Sequence, residues 1–127
     1  MKIRRDFVTN SSSSSFIISR KDITHGHLLD VLLEMANEEA KAWNDGLNHW
    51  EPPEYDWSDV DGNGVSHFRI AEYDDDNPYE VFSWCSPDKK YSDVYVVSNE
   101  DCGRYRWDVV ERVLNKHGLT LVEGYCD

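Results

Sequence analysis

Apolar positions along this chain follow two kinds of spacing. Leu28, Val31, Leu32, Met35, Glu39, Ala42 and Trp43 recur at three and four residues, with Leu29 and Leu33 widening the early stripe. This pattern predicts an amphipathic helix of about five turns, with Asp22 or Thr24 as its N-cap and its end near Gly46. A second stripe, Tyr105, Val109, Val110, Val113, Leu114 and His117, predicts another helix. Ser98 or Asn99 would cap it, Glu100 and Asp101 would sit in its first turn where the dipole favours acids, and Gly118 would supply the left-handed residue that stops it.

Strand patterns occupy the rest. Phe16-Ile17-Ile18 is a short apolar run of the kind found in a buried strand. Between Val65 and Tyr73 the chain alternates, with Val65, His67, Arg69 and Ala71 on one side and Ser66, Phe68 and Ile70 on the other. Asp74 to Pro78 then reads as a loop, Tyr79 to Trp84 as the hairpin partner of that strand, and Pro87 to Lys90 as the next turn. Asp93 to Ser98 and Leu119 to Val122 read as further strands. Residues 47–64, with Pro52-Pro53, two glycines and many acids, predict a loop. Trp43, Trp50 and Trp57 fall seven apart, but the two prolines forbid a continuous helix through them, so they are expected to anchor the loop or to make external contacts. The sum is a single α+β domain over residues 16–127, a mainly antiparallel sheet with two helices packed on one face.

Charge changes this picture from a fold to a surface. The chain has 127 residues and a formal net charge of −12. The first 21 residues carry Lys2, Arg4, Arg5, Arg20 and Lys21 against Asp6, so the acidity lies further on. Within 45–80 stand Asp45, Glu51, Glu54, Asp56, Asp59, Asp61, Glu72, Asp74, Asp75, Asp76 and Glu80, opposed by Arg69 alone. Direct nucleic-acid binding there is disfavoured, because such affinity comes from neutralising phosphates with Lys and Arg. A dense acidic face instead attracts basic partners and speeds their encounter. Five Trp, seven Tyr and four Phe supply bulky core and interface material despite the low hydropathy. No apolar stretch reaches bilayer length. Cys85, Cys102 and Cys126 have no C-x-x-C spacing, and with no apolar secretory h-region the expectation is a cytoplasmic protein with structural thiols.

The N-terminal residues carry a further signal. Lys2, Arg4 and Arg5 alternate with Ile3 ahead of Phe7 and Val8, as in a short strand or ordered arm, and Ser11 to Ser15 read as a loop. The run Asp6-Phe7-Val8-Thr9-Asn10, five serines and Phe16 resembles a leader on many proteins of unassigned function from Gram-positive bacteria and their phages. The resemblance covers residues 1–19 and implies no activity.

Candidate chemistry is sparse. Asp59-Val60-Asp61-Gly62-Asn63-Gly64 is similar to the first half of a calcium loop, with Asp59, Asp61 and Asn63 as oxygen ligands. The twelfth position is Ile70, where a bidentate Glu is required, and prolines stand where a helix should enter. Asp59, Asp61, Glu72 and Asp74 to Asp76 are also the residue types of a two-metal phosphoryl-transfer site, with His67 and Arg69 as the only nearby groups for transition-state charge. His25 and His27, two apart in a first helical turn, point away from each other and make a poor zinc pair. Cys102 is opposed as a nucleophile by Glu100 and Asp101. No glycine-rich phosphate loop and no G-x-S-x-G occurs, so no catalytic residue is assigned.

Three readings follow. The favoured one is a non-enzymatic binder in which Trp50, Tyr55, Asp56, Trp57, Asp59, Asp61, Asp74, Asp75 and Asp76 dock on a basic protein, such as a nucleic-acid-binding defence enzyme, the carboxylates imitating phosphates. The alternative is a calcium- or magnesium-dependent module or enzyme built on Asp59, Asp61 and Asn63. The third is a small structural domain whose acidic surface is incidental.

Overall fold

Phe16, Ile17 and Ile18 are all fully buried, because the strand that carries them is covered on both faces. The computed structural model describes residues 3–4, 14–47, 54–65, 68–83, 86–99 and 107–126. In chain order the elements are β1 (Ile3–Arg4), β2 (Ser14–Ser19), α1 (His25–Leu47), a 3-10 turn (Trp57–Asp59), β3 (Val60–Asp61), β4 (Gly64–Val65), β5 (Phe68–Tyr73), β6 (Tyr79–Ser83), β7 (Ser86–Tyr91), β8 (Val94–Asn99), α2 (Trp107–Lys116) and β9 (Glu123–Cys126). Seven strands form one sheet in the order β1-β9-β2-β8-β5-β4-β3, and β6 and β7 form a separate hairpin. Every pairing in the larger sheet is antiparallel except β1 with β9.

The register explains the two faces. Phe16 lies opposite Val97 and Ile18 opposite Tyr95, and cross-strand partners share a face. These four, with Val65 and Phe68, pack against Leu28, Val31, Leu32, Met35 and Ala36 of α1 and Val109, Val110, Val113 and Leu114 of α2. Ile17, Val94 and Val96 point the other way, and Tyr73, Tyr79 and Tyr91 pack over them, so the small hairpin lies against the second face. The α+β class, the largely antiparallel sheet and the two helices on one face are as the sequence predicts.

The helix ends follow from their residues. Thr24 is the N-cap of α1: its hydroxyl accepts the His27 N–H at 3.2 Å and its carbonyl accepts the Leu28 N–H at 2.9 Å. α2 ends in a Schellman motif. Gly118 has φ +70°, the Leu119 N–H donates to the Leu114 carbonyl at 2.9 Å and the Gly118 N–H to Asn115 at 3.1 Å.

Several expectations are corrected. Residues 65–73 are not one strand, since β4 and β5 are antiparallel partners with Val65 opposite Phe68. β6 pairs with β7 rather than with β5, whose neighbours are β4 and β8. Pro87 to Lys90 lie inside β7 rather than in a turn, a two-stranded hairpin having free edges that tolerate proline. Leu119 is buried beneath the α2 cap, so the last strand begins at Glu123. Ser14 and Ser15 already belong to β2, and the 47–64 loop contains the 3-10 turn and two short strands. Tyr105, Cys85, Cys102 and the expected first turn of α2 lie outside the described residues.

Candidate functional site

α1 positions the site through a residue in its middle. The Asn37 side chain accepts the Tyr55 N–H on Oδ1 at 2.7 Å and donates from Nδ2 to the Tyr55 carbonyl at 3.1 Å. Tyr55 itself packs on the main core. The next residue begins a tight capping box. Asp56 Oδ1 accepts the Ser58 N–H at 2.8 Å and the Ser58 hydroxyl at 2.5 Å, Asp59 Oδ2 accepts the Asp56 N–H at 2.9 Å, and the Val60 N–H returns to the Trp57 carbonyl. The Ser58 hydroxyl and then its backbone N–H hold the Asp56 carboxyl below its ordinary range. On this turn the Trp57 side chain stands 59 % exposed.

The adjoining β3–β4 hairpin fixes the next acid. Asp61 Oδ1 accepts the Asn63 N–H at 2.8 Å, and the Asn63 carbonyl accepts the Ile70 N–H. Gly64 has φ +149°, and a Cβ there would fall on the Phe68 carbonyl oxygen, so only glycine permits β4 to lie this close to β5. At the far end of β5, Asp74 Oδ1 accepts the N–H groups of Asp76 and Asn77 at 3.0 and 2.8 Å, an Asx turn that displays Asp75 and Asp76. Asp74 lies four residues beyond Ile70, about 13 Å of strand from the Asn63 turn.

Of the residues expected to bind a partner, Asp56, Trp57, Asp59, Asp61, Asp74, Asp75 and Asp76 are exposed, and Tyr55 is half-buried and tied to Asn37. Tyr55 therefore belongs to the framework of the site. Trp50 lies outside the described residues. Asp59, Asp61 and Asn63 are close in sequence, but the two carboxylates bond to the backbone of their own turns, and among the described residues no group of three or more His, Cys, Asp or Glu is gathered as a metal site. Glu80 is paired with Lys90 of β7 at 3.2 Å. β1, with Arg4, is at the opposite edge of the sheet from β3, six strand spacings or roughly 29 Å away.

A second concave region lies at the start of α1, an open depression of about 510 Å³ lined by Arg20, Lys21, Asp22, Ile23, Thr24, His25, His27, Asp93 and Tyr95. Its charges are already balanced. Arg20 lies 3.6 Å from Asp93 and over the Tyr95 ring at 5.9 Å. Burial, and then the nearby Glu72 carboxylate, push the Tyr95 hydroxyl above its ordinary range. His25 faces Tyr95 and His27 faces His117, so the two histidines diverge as their spacing requires.

The residue that sequence reasoning misses is Asn37. Its signal is weak but physical: asparagine is a poor residue for a helix interior, and its presence there marks a side chain with a partner elsewhere. Among the described residues no helix is long and apolar enough to cross a membrane. Comparison with protein-family models, curated proteins and solved structures gives no match.

Proposed function

We propose that this chain is a small acidic, non-enzymatic binding protein that docks on a basic protein surface. The observation that carries the reading is Trp57, 59 % exposed on a turn braced from within, with Asp56, Asp59 and Asp61 exposed close to it in the chain. Exposed indoles make strong interface anchors, and carboxylates at spaced positions imitate the phosphates that a basic groove is built to hold. β1, which carries Arg4, lies at the other sheet edge. The leader resemblance points to phage or mobile-element origin and hence to a host nucleic-acid enzyme, such as a defence nuclease, as the partner class.

The test is capture by the immobilised chain from a nuclease-treated bacterial lysate, washed at low and then high salt, followed by a DNA-binding assay on the retained protein. The reading expects a basic nucleic-acid enzyme that salt releases and whose DNA binding the chain inhibits. Retention that is indifferent to salt, or a retained protein whose DNA binding is unaffected, would discard it.

A further inference from the structure

Trp57 poses a specific chemical question. Leaving about half of an indole in water forgoes a sizeable part of the burial energy of the largest apolar side chain. The capping box, the Val60 N–H bond to the Trp57 carbonyl and the Asn37 clamp on Tyr55 hold the backbone on both sides of it. The surroundings of the indole then decide what can cover it. Asp56 precedes it in the chain and Asp59 follows two residues later, both exposed, with Glu54 and Asp61 further along the chain on either side. An apolar partner would strip water from those carboxylates and return nothing. A phosphate or carboxylate would be repelled. A cation gains twice, from the carboxylates and from the negative face of the ring.

Between the two biological cations the geometry favours one. A lysine ammonium is a compact, strongly hydrated charge, whereas a guanidinium is planar, weakly hydrated and able to stack on an indole while its edge donates to a carboxylate. We infer that Trp57, with Asp56 and Asp59, forms a clasp for an arginine side chain of the basic partner. This rests on the docking function proposed above and names the chemistry by which that docking is anchored.

The experiment compares two synthetic peptides of equal length and charge, an Arg-Gly repeat and a Lys-Gly repeat, by titration calorimetry against the full chain at low and moderate salt. The arginine peptide is expected to bind about two- to five-fold more tightly. Trp57→Ala erases the difference and Trp57→Phe keeps part of it, each compared at a temperature where circular dichroism shows the variant folded. Equal binding of both peptides, or an arginine preference that survives Trp57→Ala, overturns the clasp. If both peptides still bind with salt-dependent affinity in that case, the acidic docking surface stands without it. If neither peptide binds the wild-type chain, both readings fall.

Discussion

Asn37 and Tyr55, eighteen residues apart, exchange two hydrogen bonds in which one side-chain amide satisfies both backbone groups of a single residue. The reciprocal pattern fixes the orientation of the amide: its oxygen must face the N–H and its nitrogen the carbonyl. A rigid helix is thereby joined to the start of the turn that displays Trp57. The turn needs such a tie, since none of its three residues is buried.

Asn37→Ala leaves the half-buried Tyr55 backbone groups without these partners and should destabilise the protein by about 1–3 kcal/mol. Asn37→Asp keeps the acceptor but sets a carboxylate oxygen against the Tyr55 carbonyl, so it should cost no less than Ala. Urea denaturation measures both. If the tie serves the site as well as stability, peptide affinity at the Trp57 turn should fall in the same order at temperatures where all three chains are folded.

Asp56 provides a pH prediction with a definite sign. Its carboxyl is held below the ordinary value of 3.8, first by the Ser58 hydroxyl and then by the Ser58 N–H. Ser58→Ala removes the larger cause and keeps the smaller, so the Asp56 titration moves up toward 3.8 and remains below it. A depressed carboxyl favours the folded turn above the unfolded pKa and loses that contribution as pH falls through the folded one. Carboxyl carbon chemical shifts between pH 2 and 6 would follow it. An Asp56 titration unchanged by Ser58→Ala would show that the hydroxyl bond is absent in solution.

Tyr95 titrates in the opposite sense. Burial first, and the Glu72 carboxylate second, raise it above 10.0, with Arg20 opposing. The folded protein therefore holds this proton more tightly than the unfolded chain, and the contribution is complete below pH 10 and lost as pH rises through the folded value. Glu72→Gln removes the second cause, so Tyr95 ionises at lower pH than in the wild-type chain. The phenolate absorbance difference between each chain and its Tyr95→Phe variant isolates this one tyrosine.

The elements most legible in the sequence are those whose patterns have no competitor. α1 combines a long stripe with a capping threonine, and β8 is a run of Val and Tyr with the composition of a strand. The break between β4 and β5 was hidden because the alternation continues across it. Ser66-His67 has none of the Asn-Gly or Asp-Gly chemistry that marks a hairpin. Leu119 and Leu121 read as strand residues because a hydrophobic helix cap and a short strand share the same composition. At the site, the acids and Trp57 were visible as types, whereas their bracing by Asn37 depends on a contact between distant residues that no local pattern encodes.

Val65 and Phe68 offer the most direct test of the corrected strand arrangement. In a continuous strand, residues three apart point to opposite faces, so one of the two would face away from the helices. In the observed hairpin they are cross-strand partners and both are fully buried in the same core. Phe68→Ala should then cost about 3–5 kcal/mol and Val65→Ala about 1–3 kcal/mol, because each opens a cavity beneath α1. Gly64→Ala reports on the same geometry through the backbone. The new methyl would fall on the Phe68 carbonyl, so the β4–β5 pair must separate and Val65 must leave the core. Its cost should therefore exceed that of Val65→Ala, since the φ of +149° adds backbone strain, and combining the two should add less than their sum where one displacement accounts for both packing losses. Strict additivity, or a Val65→Ala variant as stable as wild type, would favour the uninterrupted strand.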